Sequence, residues 1–558
     1  MSRPCPEGRG FPRRNCLAVC VGQARSKCSP GGPVAKILVS DPLPQDIVDS
    51  LRKEAEVEVA TGLKPAELAA KLVGFDALIV RSQSKVTKEV IEGATQLRVI
   101  GRAGVGVDNI DVEAATNKGI MVINSPEGNT ISAAEHTFGL LLAAARWVPQ
   151  AQASMRAGEW DRKTFTGFEL YNKTLGIVGF GRIGREVGER AAAFRMKILA
   201  YDPFISEEFA KERGAEKVEL DELLKRSDFI TLHMPKTAET DGLINATRLA
   251  MLKPTAILVN CARGGIVDEN ALYEALKARK LAAAALDVYA QEPVGPTPLL
   301  ELLNFVSTPH LAASTHEAQE RVAVDVAEQI LEVLRGGAPR SAVNIPYVPP
   351  EAMSFLKPYL GLAERMGKFA QSLVSGPVTA VTVNYRGEVA ETDTRFLTKA
   401  LLRGLLAAGS PETVNYVNAA VVARNRGINV SEGSTSGHST YSSLVEVTVR
   451  SAQRSCTLGG TVFGTSEARV VEMDGHAISV VLSGTKLITW QTDRPGVMGS
   501  VGSLLGKSDI NIAEMQLGRS QPRTHAVMVM SIDETPSDAV MGEIKALDGI
   551  EDARLVQL

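Results

Sequence analysis

Cysteine is scarce in this 558-residue chain. Of six, four (Cys5, Cys16, Cys20 and Cys28) fall in the first 30 residues, and only Cys261 and Cys456 lie beyond them. That excludes a disulfide-built scaffold and points to a reducing compartment or to a fold with no need of disulfides. The spacing of the first four fits no paired C-x₂-C zinc pattern, so no metal is expected. Long apolar runs are also missing. The best, Phe138 to Ala145, is far too short to span a bilayer. Nor is there an excess of one charge. With 61 Lys and Arg against 64 Asp and Glu the net charge is -3, which gives no strong pull toward nucleic acid or an anionic membrane. What is present is the 44% hydrophobic and 22% charged balance of a globular protein, at a length that calls for three or four domains.

The segment 1–33 holds six Lys or Arg, one Glu and many Gly and Pro, with no apolar periodicity. It reads as a disordered extension. It is either an organellar transit peptide or the product of a mis-assigned start, with Val34 near the true one. A cytoplasmic protein is expected, or a plastid one if this segment is a transit peptide.

From Val34 onward short apolar strands (Lys36–Ser40, Ala77–Val80, Leu97–Gly101, Met121–Asn124) alternate with helical stretches, as in a parallel sheet covered on both faces. A long helix is predicted from about Ser132 to Arg146, with Ser132 and Glu135 spaced as a capping box. A second series follows at 175–179, 197–201, 229–233, 256–260, 283–286 and 305–307, about the strand count of a full Rossmann sheet. The helical stretch Ser314–Arg335 stops at Gly336-Gly337. After Asn344–Pro350, read as a linker, the texture becomes α+β, with a helix over Met353–Leu373 and a polar loop over Ser431–His438. His438 reads as loop chemistry.

The string Gly179-Phe180-Gly181-Arg182-Ile183-Gly184 follows a strand and opens a helix. Gly179 permits the tight turn, Gly181 lets a pyrophosphate approach the backbone, and Gly184 lets helix pack on strand. The helix N-terminus adds free N–H groups. Asp202, 18 residues past Gly184 at the end of the next strand, can accept from both ribose hydroxyls and repels a 2'-phosphate. NAD is therefore favoured over NADP.

Three motifs sit at later strand ends. Arg263 in Leu258–Asp268 can hold a carboxylate bidentately. Glu292 precedes Pro293. His310, in Ser307-Thr-Pro-His-Leu-Ala-Ala313, can take a proton from a hydroxyl, and a neighbouring carboxylate would raise its pKa.

These motifs, together with Val99-Ile-Gly-Arg-Ala-Gly-Val-Gly-Val-Asp-Asn-Ile-Asp111, make the chain resemble the D-isomer-specific 2-hydroxyacid dehydrogenases over about 34–346. Within that family it is similar to the long-form members that act on D-3-phosphoglycerate. The resemblance implies an α/β fold of two doubly wound parallel-sheet domains. These are a substrate domain (34–131 with 318–346) and a Rossmann NAD domain (132–317). An α+β intervening domain (347–484) and a C-terminal βαββαβ ACT domain (485–558) would follow.

The resemblance further implies Arg263, Glu292 and His310 as catalytic residues. Val105, Arg182, Ile183, Cys261, Ala262, Arg263, Asp287 and His310 with Leu311, Ala312 and Ala313 would border the cofactor. Arg81, Ser82, Arg102, Ala103 and Gly104 would meet the substrate. The implied reaction converts 3-phosphoglycerate to 3-phosphooxypyruvate, the first step toward L-serine. The stretch Leu487–Gly499 looks like an ACT opening, with Asp493 and Asn511 where such domains contact an amino-acid effector at a subunit interface. L-serine regulation and a homodimer or homotetramer are expected, with no nucleic-acid or membrane partner. A dehydrogenase for another 2-hydroxy acid such as 2-hydroxyglutarate, and a non-catalytic NAD-sensing protein, remain as alternatives.

Overall fold

The computed structural model describes residues 34–407, 413–435 and 440–558. The reading of 1–33 and that of His438 lie outside them. Among the described residues four sheets follow one another along the chain. The first is parallel and contains β1 (Lys36–Val39), β2 (Glu56–Val59), β3 (Ala77–Val80), β4 (Val99–Arg102) and β5 (Met121–Asn124), in the order β2-β1-β3-β4-β5. The second, also parallel, contains β6 (Thr174–Val178), β7 (Lys197–Tyr201), β8 (Glu216–Lys217), β9 (Phe229–Leu232), β10 (Ile257–Asn260), β11 (Ala283–Leu286) and β12 (Phe305–Ser307). Its order, β12-β11-β10-β9-β6-β7-β8, is that of a Rossmann sheet.

In both sheets the strand order reverses beside the first strand, and the carboxyl ends around that switch point form the ligand crevice. The chain therefore delivers Asp41, Arg81 and Arg102 to one crevice, and Gly179, Asp202, Asn260, Asp287 and Thr308 to the other. Central strands such as β3, β9, β10 and β11 are buried at every position, as both-faces-covered parallel strands must be. The helix His316–Leu334 packs back on the first sheet, where Val326 and Ile330 join the core of Ile37, Ile79 and Val99.

The third sheet is mixed: β13 (Val378–Gly387), β14 (Asn429–Thr435), β15 (Ser443–Ser451), β16 (Ser455–Phe463), β17 (Glu467–Met473) and β18 (His476–Val480). The helices Pro350–Leu373 and Arg395–Ala407 share its core. The fourth is antiparallel, β20-β21-β19-β22, from β19 (Thr485–Thr492), β20 (Ile512–Arg519), β21 (His525–Ile532) and β22 (Ile550–Gln557). Helices Val497–Lys507 and Asp538–Ala546 complete the βαββαβ order, with Leu505 and Ile544 in the core against Leu487 and Met530. Its other face, through Ile488, Val527 and Val529, shares the core of the third unit. There Arg454 stacks 3.7 Å over the Trp490 ring and pairs with Asp552 at 2.7 Å.

Three sequence expectations are corrected. The helix expected from Ser132 begins at Thr130, so Ser132 lies inside it and caps nothing. Its hydroxyl donates to Ala312 O at 2.7 Å, tying the helix to the loop that carries His310. The polar stretch at 431–435 is not loop but the exposed edge strand β14, paired in parallel with β13. The segment 344–350 is not a free linker: Asn344 accepts from Val122 N and donates to Ile120 O, and the following helix starts at Pro350.

Candidate active site

The dinucleotide turn has the geometry its glycines imply. A Cβ on Gly179 would lie 2.4 Å from His233 O, and one on Gly184 would lie 2.2 Å from Gly179 O. At Gly181 a Cβ would meet nothing within 4 Å. The first and third glycines are thus demanded by packing, while the second opens space above a helix N-terminus, where a pyrophosphate fits. Ile183 turns into the core beside this turn, and Arg182 Nε pairs with Glu127 at 3.3 Å. Asp202 is fixed at the end of β7 by the N–H groups of Phe180 (2.9 Å) and Phe204 (2.9 Å), one on each oxygen. Each oxygen keeps a lone pair for a ribose hydroxyl. Together these residues fit an NAD molecule. The loop after β9 was missed from sequence, yet Met234 N lies 3.2 Å from the Gly179 Cβ position. Desolvation there pushes the pKa of the half-buried His233 down to about 3 and keeps it neutral.

Arg263 stands in the turn after β10. Asn260, buried, cinches that turn: its amide donates to Arg263 O at 3.0 Å and its oxygen accepts from Ala262 N at 3.0 Å. Cys261 points into the core, where burial pushes its thiol up to about 12. Glu292 and His310, 18 residues apart, meet: His310 Nδ1 and Glu292 Oε2 are 2.8 Å apart, while Glu292 Oε1 accepts from Tyr289 N at 3.0 Å. The bond to Glu292 raises the His310 pKa against the opposing effect of burial. Burial pushes Glu292 up, but the His310 and Tyr289 bonds outweigh it and hold its pKa below the ordinary carboxylate range.

The loop that bears His310 hangs on Asp287, whose side chain is wholly buried. Its carboxylate accepts from Leu311 N (2.7 Å), Ala312 N (2.9 Å) and Thr308 Oγ1 (2.6 Å), and lies 3.2 Å from His136 Nε2. Its carbonyl accepts from His310 N at 2.8 Å, which fixes His310 at a left-handed φ of 55°. Leu311 is exposed and Ala313 half-buried on this loop. No sequence pattern pointed to His136 or Thr308.

The first sheet contributes a cation cluster. Arg102, at the end of β4, is pushed down to about 10 by burial, with Arg263 adding to the fall and Asp108 opposing it. It stays charged at neutral pH, and its Nε is buried with no hydrogen-bond partner among the described residues. Gly104 lies against its guanidinium, Ala103 N donates to Val80 O at 2.8 Å, and Val105 O accepts from Asn124 at 2.6 Å. Arg81 and the exposed Ser82 follow β3. Buried Asp41 holds that loop by accepting from Arg81 N (2.5 Å), Ser84 N (3.1 Å) and Ser84 Oγ (2.7 Å). Asn109 clamps the other side, donating to Arg81 O and Ser84 O.

Asp493 and Asn511 are not brought together within one chain. Thr485 and Ile512 both pair with Ile532 of β21, so Asn511 lies at the end of the sheet where β19 begins. Asp493 lies past the far end of β19, eight residues from Thr485, or roughly 25 Å at about 3.3 Å per residue. Asp493 accepts from Arg519 at 2.8 Å, and Asn511 donates to Asp533 at 2.7 Å.

This geometry is met among known proteins. Residues 138–312 match the D-isomer specific 2-hydroxyacid dehydrogenase NAD binding domain, 355–474 the D-3-phosphoglycerate dehydrogenase intervening domain, and 485–549 the ACT domain. The D-3-phosphoglycerate dehydrogenase of Methanocaldococcus jannaschii is 48% identical over 94% of this chain and its own full length. The chain belongs to the D-3-phosphoglycerate dehydrogenase family. The Synechocystis member is also 48% identical, over 94% of this chain and 95% of its own. The alignment with the solved D-lactate dehydrogenase of Aquifex aeolicus, complexed with NAD and lactic acid, covers 56% of this chain and 99% of that one, at 30% identity and a TM-score of 0.50. Among the described residues no helix is long and apolar enough to cross a membrane.

Proposed function

We propose that this chain oxidises D-3-phosphoglycerate to 3-phosphooxypyruvate with NAD, as the first step of the phosphorylated route to L-serine. The observation that carries the reading is the 2.8 Å pair of His310 and Glu292, within electrostatic reach of Arg263 at the edge of the dinucleotide-binding sheet. Glu292 engages Nδ1 and leaves Nε2 as the nitrogen free to meet substrate. Neutral Nε2 takes the proton of the C2 hydroxyl, and Glu292 stabilises the imidazolium that forms. Arg263 holds the carboxylate beside the reacting carbon. Arg102 and Arg81 meet the phosphate, and the desolvated Arg102 binds it strongly because little water competes. The Gly181 turn and Asp202 would hold NAD, which would supply the hydride acceptor. The substrate alternative, a second carboxylate in place of phosphate as in 2-hydroxyglutarate, uses the same cations.

The separation of Asp493 from Asn511 favours an L-serine site shared between two copies, in a homodimer or homotetramer. Absorbance at 340 nm with NAD and a panel of D-3-phosphoglycerate, D-2-hydroxyglutarate and D-lactate, each with and without L-serine, tests these assignments. Turnover highest on another acid would replace the substrate. No turnover on any would favour a purely NAD-sensing role.

A further inference from the structure

Arg263 has one edge suited to a carboxylate, and that edge is covered by the chain itself. Its Nη1 donates to Ala262 O at 2.7 Å, which leaves Nε and Nη2 as the pair able to grip two oxygens. Asp108 Oδ2 lies 3.2 Å from Nε. Gly106 comes so close that a Cβ there would lie 2.3 Å from Nη2 and 2.7 Å from Asp108 Oδ2. Asp108 comes from the loop after β4, on the first sheet, whereas Arg263 follows β10 on the second. The pair therefore spans the crevice. Asp108 also acts on Arg102, the other cation of the site. Its side chain is 74% exposed and its ion pair is with Arg263, so it can leave for water without disturbing the core.

We propose that Asp108 is a resident stand-in for the substrate's carboxylate: it pairs with Arg263 when the crevice holds no substrate and must be displaced for one to bind. This rests on the reading that Arg263 takes a carboxylate. Asp108 then sets specificity by competition. A small anion that meets Arg263 alone gains little by replacing Asp108. A substrate that carries a second charge to Arg102 and Arg81 gains enough to evict it. The stand-in also keeps Arg263 oriented toward the crevice in the empty protein.

The sign of one substitution separates this role from a purely orienting one. In Asp108→Asn the competitor is gone and the shape kept. Oxalate, titrated by calorimetry into the intact protein with NAD, is expected to bind about two- to fivefold tighter than to the unaltered chain, the range of an exposed ion pair. The KM for D-3-phosphoglycerate should fall by a similar factor, and the gain should shrink with added salt. In an Arg263→Gln background the same change should have no effect on oxalate binding. Unchanged, weaker or undetectable oxalate binding in Asp108→Asn overturns the proposal, as does a gain that persists without Arg263. Because oxalate binding is read without turnover, failure of the chain to oxidise D-3-phosphoglycerate would remove the substrate assignment and leave this answer standing.

Discussion

Replacing Glu292 with Gln keeps the shape of the His310 pair and removes its charge. The two oxygens of Glu292 accept from Tyr289 N and lie against His310 Nδ1. Gln can keep one of these bonds in each orientation but cannot stabilise an imidazolium. A hydrogen bond to a charged group contributes about 1.5–3 kcal/mol, and the side chains here are 37% and 48% exposed, which reduces it to about 1–2 kcal/mol. His310 is cationic after it has taken the hydroxyl proton, so the loss falls on the transition state and lowers plateau kcat for oxidation about 5- to 30-fold.

The pH profile should move in a defined direction. Glu292 raises the His310 pKa above its ordinary value while burial opposes it. Oxidation needs neutral imidazole, so its rate climbs as pH rises through that raised value. Without the carboxylate only the downward effect of burial remains, and the acid limb moves to lower pH. Reduction of the keto acid needs imidazolium, so its alkaline limb also moves to lower pH and its rate at neutral pH falls further. Initial rates at 340 nm in both directions from about pH 5.5 to 10 test this. An acid limb that stays in place or moves up, with plateau kcat unchanged, would refute the pairing as the source of His310's basicity.

Four further outcomes follow, three of them from the cofactor side. Gly184→Ala sets a Cβ 2.2 Å from a backbone carbonyl and should cost about 1–3 kcal/mol, read as a fall in Tm. Gly181→Ala, which meets open space, should leave Tm within a degree or two and weaken NAD binding measured by fluorescence titration. Asp202→Ser removes the carboxylate that repels a 2'-phosphate. It should cut kcat/KM for NAD about tenfold or more while raising that for NADP, and an unchanged preference would misplace the ribose. Cys261, with its thiol pushed up to about 12, should resist iodoacetamide in the native protein at pH 8, as mass spectrometry of the digested product would reveal.

Much of the crevice was legible because a parallel sheet announces its strand ends. A buried run followed by Gly, Arg or Asp places that residue at the carboxyl edge, which is how Gly179, Asp202 and Arg263 could be located. In the two parallel sheets the strands that escaped were β2 and β8, short and polar at the sheet edges, where no second face needs an apolar side chain. The helix start at Thr130 escaped because the S-x-x-E spacing of Ser132 and Glu135 mimics a cap. The hydroxyl is instead used to reach Ala312 across 180 residues.

The second layer of the site escaped for a deeper reason: its residues act on backbone, not on ligand. Asp41 and Asp287 occupy corresponding places in the two sheets. Each is a buried carboxylate just past a strand, and each gathers the N–H groups of a loop that follows a neighbouring strand. Asp41 fixes Arg81 and Ser84; Asp287 fixes Leu311 and Ala312, and through them His310. A carboxylate buried with several donors has its charge satisfied only in one loop conformation, since any other leaves it desolvated and unpaired. The Arg81 loop and the His310 loop are thus each held by the cost of moving, which is how two surface loops attain the precision that the proposed chemistry needs.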